Sequence, residues 1–189
     1  MSKQLDCIGD DLSAWLHQQH VLFVATAPLS AGGHVNCSPK GGDCFRVLDS
    51  MQVAYLDFTG SGVETAAHLR ENGRIVLTWC AFEGKPNIVR LHGRGEVLTP
   101  GSPEFEALAA LFPPNPGARA LVRVSVSRVS TSCGFAVPCM ELRSDRDTLD
   151  QWSAAKGTDG LAEYRQSKNA RSIDGLPALQ DAPRASGHR

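Results

Sequence analysis

Val53-Ala54-Tyr55-Leu56-Asp57-Phe58-Thr59-Gly60-Ser61-Gly62-Val63-Glu64-Thr65 is the stretch on which the fold turns. Val53 to Phe58 is rich in β-branched, aromatic and aliphatic residues and predicts a strand. Thr59-Gly60-Ser61-Gly62 breaks that pattern. Val63 to Asn72 then predicts a helix, with Gly73 as its left-handed stop. Upstream, Phe45 to Leu48 predicts a strand separated from Val53 only by the turn at Asp49-Ser50, which is hairpin length. Downstream, Ile75 to Phe82 and Ile88 to Val97 predict two more strands around Glu83-Gly84-Lys85-Pro86. A helix set among hairpins does not build repeated βαβ units. The expectation is an antiparallel α+β barrel rather than a doubly wound parallel sheet.

The same reading extends to both ends. Asp10 to Gln19 predicts a short helix with Leu12, Trp15 and Leu16 at helical spacing, feeding a strand at Val21 to Thr26. After the turn Ala31-Gly32-Gly33, His34 to Lys40 alternates, with His34, Asn36, Ser38 and Lys40 on one face and Val35 and Cys37 on the other. In Ile88 to Val97, Val89, Leu91 and Val97 oppose Arg90, His92, Arg94 and Glu96. Pro103 to Phe112 predicts a helix with Phe105, Leu108, Ala109 and Phe112 on one stripe. Leu121 to Val129 and Phe135 to Leu142 predict the last strands, for about seven in all. Asp145 to Ala155 and Gly160 to Asn169 predict helices, and Asp181 to Arg189 is polar enough to fray.

Composition narrows the function classes. The 189 residues carry 19 Lys and Arg against 20 Asp and Glu, a net charge of -1, so no bulk field would hold nucleic acid or an anionic membrane. No apolar run approaches the roughly 20 residues of a transmembrane helix, and Met1 to Asp11 lacks the pattern of a signal peptide. The expected address is the cytoplasm. Cys7, Cys37, Cys44, Cys80, Cys133 and Cys139 form no C-x-x-C pair and are read as reduced, mostly buried thiols. His34, His68 and His92 have no partner at ligand spacing, so no metal site is expected. Neither a G-x-S-x-G elbow nor a P-loop occurs, and in Gly60-Ser61-Gly62-Val63-Glu64-Thr65 the third glycine of a dinucleotide fingerprint is replaced by Thr65.

Two segments carry candidate chemistry. Glycines at Gly60 and Gly62 let a ligand approach the backbone, Thr59 and Ser61 offer hydroxyls, and the following helix N-terminus supplies unpaired N–H groups, which together suit a phosphate. The same residues also suit an ordinary N-capping turn. Asn36, Ser38 and Lys40 on one strand face combine an amide, a hydroxyl and a cation that can hold an anion or a polar ring edge. The same pattern also suits a solvated strand face.

In order and spacing, the segments from Val21 to Leu142 resemble the pyridoxamine 5'-phosphate oxidase-like flavoproteins. The carriers are Ala25-Thr26 with Asn36-Cys37-Ser38-Pro39-Lys40, Phe58-Thr59-Gly60-Ser61-Gly62 through Glu71-Asn72-Gly73-Arg74, Asn87 to Gly93, and Ser132-Cys133-Gly134-Phe135. The resemblance implies a split β-barrel over residues 1–144 and FMN bound between the subunits of a homodimer; residues 145–189 lie outside the resemblance to the oxidases and read as a C-terminal helical extension and arm packed on the barrel or the dimer partner. It implies cofactor contacts from Asn36, Ser38, Lys40, Thr59, Gly60, Ser61, Gly62 and Thr65, and from Arg90 and Cys133, with Lys40 as the phosphate cation. The implied activity is flavin-dependent oxidoreduction of a small molecule. The rivals are a flavin- or haem-binding sensor and a deazaflavin reductase on the same fold. Oxidase members carry an Arg-Lys pair where this chain has Glu64-Thr65, and a late basic segment that is absent after Phe135, so oxidation of pyridoxamine phosphate itself is not expected.

Overall fold

The computed structural model describes residues 3–179. Eight strands form one wholly antiparallel sheet: β1 (Lys3–Leu5), β2 (Leu22–Thr26), β3 (Asn36–Lys40), β4 (Phe45–Asp49), β5 (Gln52–Phe58), β6 (Arg74–Cys80), β7 (Ile88–Leu98) and β8 (Ala118–Ser132). The order is β3-β2-β6-β7-β8-β5-β4, with β1 added to β8. The helices are α1 (Asp10–His17), α2 (Glu64–Asn72), α3 (Pro103–Ala109) and α4 (Thr148–Lys168). The architecture is the α+β split barrel that the antiparallel reading expects.

Alternation along the strands places the core. Val24, Tyr55, Leu77, Trp79, Val89, Leu91, Val122 and Val124 are all essentially inaccessible and pack as one cluster inside the curled sheet. β7 keeps one edge of β8 along its whole length, while β5 pairs with the first half of the other edge and β1 with residues Val129 to Thr131. A bulge between His92 and Gly93 skips one residue of β8, so Val129 returns to the core after Val126. α3 is capped by Ser102, whose Oγ accepts from Phe105 N–H at 3.2 Å, and sets Phe105, Leu108 and Ala109 against a second cluster around Leu56, Leu98, Phe112 and Leu121.

α2 departs from a simple amphipathic helix. Thr65, Ala66, Ala67, His68 and Leu69 are five consecutive buried residues, which requires cover on two sides. The barrel supplies one side, and the C-terminal arm supplies the other through Ala178 and Leu179 against Val63, Ala66 and Ala67. The helix stops at Gly73, whose φ of 69° is open to glycine at little cost.

Several sequence expectations are corrected. Phe135 to Leu142 is no strand. Met140 N–H donates to Phe82 O and Leu142 N–H to the Glu83 side chain, while Phe135 stays 83% exposed. No neighbouring strand offers this segment a ladder, so its apolar residues are not drawn into the sheet. β1 carries too little apolar sequence to be legible and forms because β8 outruns β5. The two late helices, by contrast, run as expected, one on each side of Gly157 (φ 65°, ψ 176°), where the span Thr148–Lys168 breaks. The cysteines are all free, but only Cys44 is buried. Cys7, Cys37, Cys133 and Cys139 are exposed because they lie on an edge strand or in connecting loops. The expected fraying of Asp181 to Arg189 lies outside the described residues. Among the described residues no helix is long and apolar enough to cross a membrane.

Candidate functional site

The barrel closes on a buried charge cluster. Lys40 ends β3 and Asp57 lies near the end of β5, and Lys40 Nζ donates to Asp57 Oδ1 at 2.7 Å. Arg119, from the start of β8, donates from Nε to Asp57 Oδ2 at 2.8 Å. Burial pushes the Asp57 carboxyl up, but the two cations beside it outweigh that and hold it below the ordinary carboxylate range. Arg119 also donates to Gly60 O at 3.1 Å and Gly62 O at 2.6 Å.

Those last two bonds orient the Thr59 to Gly62 loop. In a trans peptide the C=O and the next N–H point in opposite directions. Drawing the carbonyls of Gly60 and Gly62 inward therefore turns the N–H groups of Ser61 and Val63 outward. Ser61 and Gly62 are exposed, and neither the N–H of Ser61 nor its hydroxyl has a partner among the described residues. The outward N–H of Val63 is taken by Glu64 Oε2 at 2.9 Å. Thr59 is structural: its N–H and hydroxyl both donate to Gly117 O, at 2.7 and 2.8 Å, and its oxygen accepts from Arg165 Nε at 2.9 Å.

Beside the loop runs a strip of neutral polar groups. Asn36 Nδ2 donates to Thr65 Oγ1 at 2.9 Å and to Thr26 Oγ1 at 3.2 Å, and Ser38 Oγ donates to Asn36 Oδ1 at 3.1 Å. Thr26 Oγ1 in turn meets His68 Nδ1 at 2.9 Å, and His68 Nε2 is buried without a hydrogen-bond partner. Burial lowers the His68 pKa against the pull of Asp174, Glu64 and Glu71, so the ring is neutral at neutral pH. β3 is an end strand, which is why Pro39 is tolerated in it and why this strip faces an open edge.

The residues expected at the site thus fall into four places. Asn36 touches both Ser38 and Thr65, and Ser61 and Gly62 lie just before α2 with the Ser61 N–H outward. Lys40 does not reach the loop, because Asp57 and Arg119 stand between them. Arg90 donates to Ser132 Oγ at 3.1 Å, and with Cys133 it lies at the far end of β7 and β8 from Ala118.

Sequence reading missed Arg119, Arg165, Asn169 and Asp174. Asn169 Nδ2 donates to Gly60 O at 2.8 Å, and Asp174 accepts from His34 N–H at 2.8 Å and pairs with His34 Nδ1 at 2.6 Å. All four act across long sequence separations, and only the Asp174-Gly175 turn left a local signal.

The fold and the site together define an antiparallel α+β split barrel whose polar edge strand adjoins a glycine loop at a helix N-terminus. A profile of the family described as Pyridoxamine 5'-phosphate oxidase matches residues 8–133, and the chain belongs to that family. It is 36% identical over 201 aligned residues to the Pyridoxamine 5'-phosphate oxidase family protein ustO of Aspergillus flavus, across 96% of this chain and 80% of that one. Among solved structures it is similar to a putative pyridoxamine 5'-phosphate oxidase of Lactobacillus delbrueckii, with TM-score 0.52 and 20% identity over 67% of this chain and 98% of that one. It is also similar to a HupZ variant of Group A Streptococcus, with TM-score 0.51 and 20% identity over 66% of this chain and 99% of that one. At such identities the solved structures share the fold.

Proposed function

We propose that this protein binds a flavin, FMN, along the strip from Ser61 and Gly62 through Thr65 to Asn36 and Ser38, and serves as a flavin-dependent oxidoreductase on a small molecule. The observation that carries the reading is the Ser61 N–H, turned outward by Arg119 on Gly60 O, together with the Ser61 hydroxyl, neither partnered among the described residues, near the Asn36–Thr65 contact. The donor set fits the group: free N–H and hydroxyl donors suit a phosphate, and neutral amide and hydroxyl groups suit the alternating donors and acceptors of the ring edge. Lys40 supports this arrangement at two removes, by holding Asp57, which holds Arg119.

When bound, the flavin supplies the redox chemistry. The chain's own residues bind and orient. Ser61 and Gly62 hold the phosphate end, Asn36, Ser38 and Thr65 hold the polar edge, and Thr26 links Asn36 to a neutral His68. Glu64 sets a carboxylate where a phosphate cation would be expected, which favours weak rather than tight phosphate binding. We propose a homodimer, supported by exposed Val35 and Ile173, which the His34–Asp174 contact brings together beside the strip.

The visible absorption spectrum of freshly purified protein, with light scattering of the same sample, tests this reading. A flavin spectrum on a dimer is the expected outcome. Protein that takes up no added FMN or riboflavin refutes the cofactor assignment, and a flavin-loaded monomer refutes the shared groove.

A further inference from the structure

Beyond the strip, past the Lys40 end of β3 and two residues from Ser38, a cavity of about 190 Å³ opens between the end of α1, the turn joining β3 to β4, and β6. His17, Lys40, Cys44, Phe45, Trp79 and Asp145 are on its wall. Lys40 and Arg119 share the single carboxylate of Asp57, so the cluster holds one positive charge more than it neutralises. Arg119 spends its donors on Asp57 and two carbonyls and is 4% exposed as a side chain. Lys40 has three N–H donors, gives one to Asp57, and keeps 16% of its side chain exposed. The surplus charge therefore faces the cavity, where leaving it uncompensated is costly.

The other charges of the wall decide what compensates it. Asp43 is bound by Arg46 through both terminal guanidinium nitrogens and is not free to do so. Asp145, at the exposed rim, has no cation partner among the described residues and opposes a multiply charged anion. Burial pushes the Cys44 thiol up to about 11, so it brings no second anion. Phe45 and Trp79, edge to face at 4.9 Å, form an apolar wall with Leu16 and Leu22. One cation at the base, a carboxylate at the rim and aromatic sides match a single negative charge on an apolar body.

We propose that this cavity binds a small monocarboxylate with an apolar or aromatic body, its carboxylate seated on the Lys40 ammonium. Benzoate is the probe, titrated into the full chain by calorimetry, with and without saturating FMN. Wild type binds benzoate equally in both conditions, and inorganic phosphate does not compete. Lys40→Met lowers benzoate affinity by about tenfold or more, while Asp145→Lys, an exposed change, raises it by about threefold or more. No benzoate binding by wild type, competition by phosphate or FMN, or equal affinity in a natively folded Lys40→Met each overturns the proposal. Where Lys40→Met does not fold, Asp145→Lys decides, and unchanged affinity there overturns it as well.

Discussion

Replacing Arg119 by Met tests whether the loop is held from inside the barrel. Met matches much of the aliphatic volume of Arg but removes every donor. Two effects add. The carbonyls of Gly60 and Gly62 lose charged donors at 3.1 and 2.6 Å, and an orphaned buried acceptor costs about 1 to 3 kcal/mol. Gly60 O keeps Asn169 Nδ2 as a donor at 2.8 Å and loses only one charged bond, while Gly62 O is orphaned on a surface loop that can turn toward water, so about 1 kcal/mol applies to each. Asp57 also loses one of its two cations. Breaking a buried ion pair outright costs about 3 to 5 kcal/mol, and retention of Lys40 removes a good part of that. The expected total is about 3 kcal/mol, against about 1 kcal/mol for Lys40→Met, which leaves Asp57 on Arg119 and the carbonyls untouched.

Urea unfolding followed by circular dichroism separates the two variants. With a slope of about 2 kcal/mol per molar, Arg119→Met lowers the midpoint by about 1.5 M and Lys40→Met by about 0.5 M. Because the loop N–H groups depend on the inward carbonyls, FMN affinity also falls further in Arg119→Met than in Lys40→Met. Equal midpoint shifts would show that Asp57 alone matters and that Arg119 does not orient the loop.

Three further outcomes are expected. Glu64→Gln removes a carboxylate beside Gly62 and Val63 and raises FMN affinity by about three- to tenfold while leaving riboflavin unchanged; equal gains for both flavins would place the phosphate elsewhere. Thiol titration of native protein finds Cys7, Cys37, Cys133 and Cys139 fast and Cys44 reactive only on unfolding, and a fast fifth thiol assigned to Cys44 by mass mapping would contradict its burial. Stability falls in two acid steps, read as urea midpoints against pH. Burial lowers the His68 pKa, so the unfolded chain binds the extra proton and stability is lost as pH falls below about 6.5. Asp57, held below its ordinary range by Lys40 and Arg119 despite burial, keeps its contribution until pH falls below about 4. His92, lowered by burial and by Arg128 and Arg90, adds to the same step, so His68→Gln shrinks the first step and leaves the second, and an unchanged first step assigns it to His92 or another group.

What the sequence made legible follows from the range of the interactions. Period-two alternation in Ile88 to Val97 and Leu121 to Val129 gave both long strands, and the hairpin-length turn at Asp49-Ser50 gave the antiparallel pairing, because each signal is local. The strand, glycine turn and helix from Val53 to Asn72 were visible for the same reason. Asp57 was not singled out, since an acidic residue within an apolar strand has no local partner to explain it. Its partners stand 17 and 62 residues away. Phe135 to Leu142 failed for the opposite reason: its local pattern suits a strand, but no sheet edge receives it. Lys40 was legible as a cation facing the same way as Asn36 and Ser38, but the direction of its ammonium depends on where β5 places Asp57.

The loop before α2 is fixed from two sides, and this makes the C-terminal segment part of the proposed site. Arg119 holds the carbonyls of Gly60 and Gly62 from the barrel interior, while Asn169 holds Gly60 O and Arg165 holds the Thr59 hydroxyl from the far end of α4. Beyond them residues 169–179 fold back on themselves, Ala178 N–H donating to Ala170 O and Ser172 N–H to Leu176 O, so that Ala178 and Leu179 seal the outer side of α2. The tip of that fold gives Asp174 to His34, two residues before Asn36 on the edge strand. Loop, helix and edge strand, the three pieces that carry the polar strip, are therefore each fastened by the same short segment. A glycine loop on its own samples many conformations at a large entropic cost to any ligand that must order it. Fastening it beforehand removes that cost, which is how a strip of mostly neutral donors can hold a ligand without a dedicated phosphate cation.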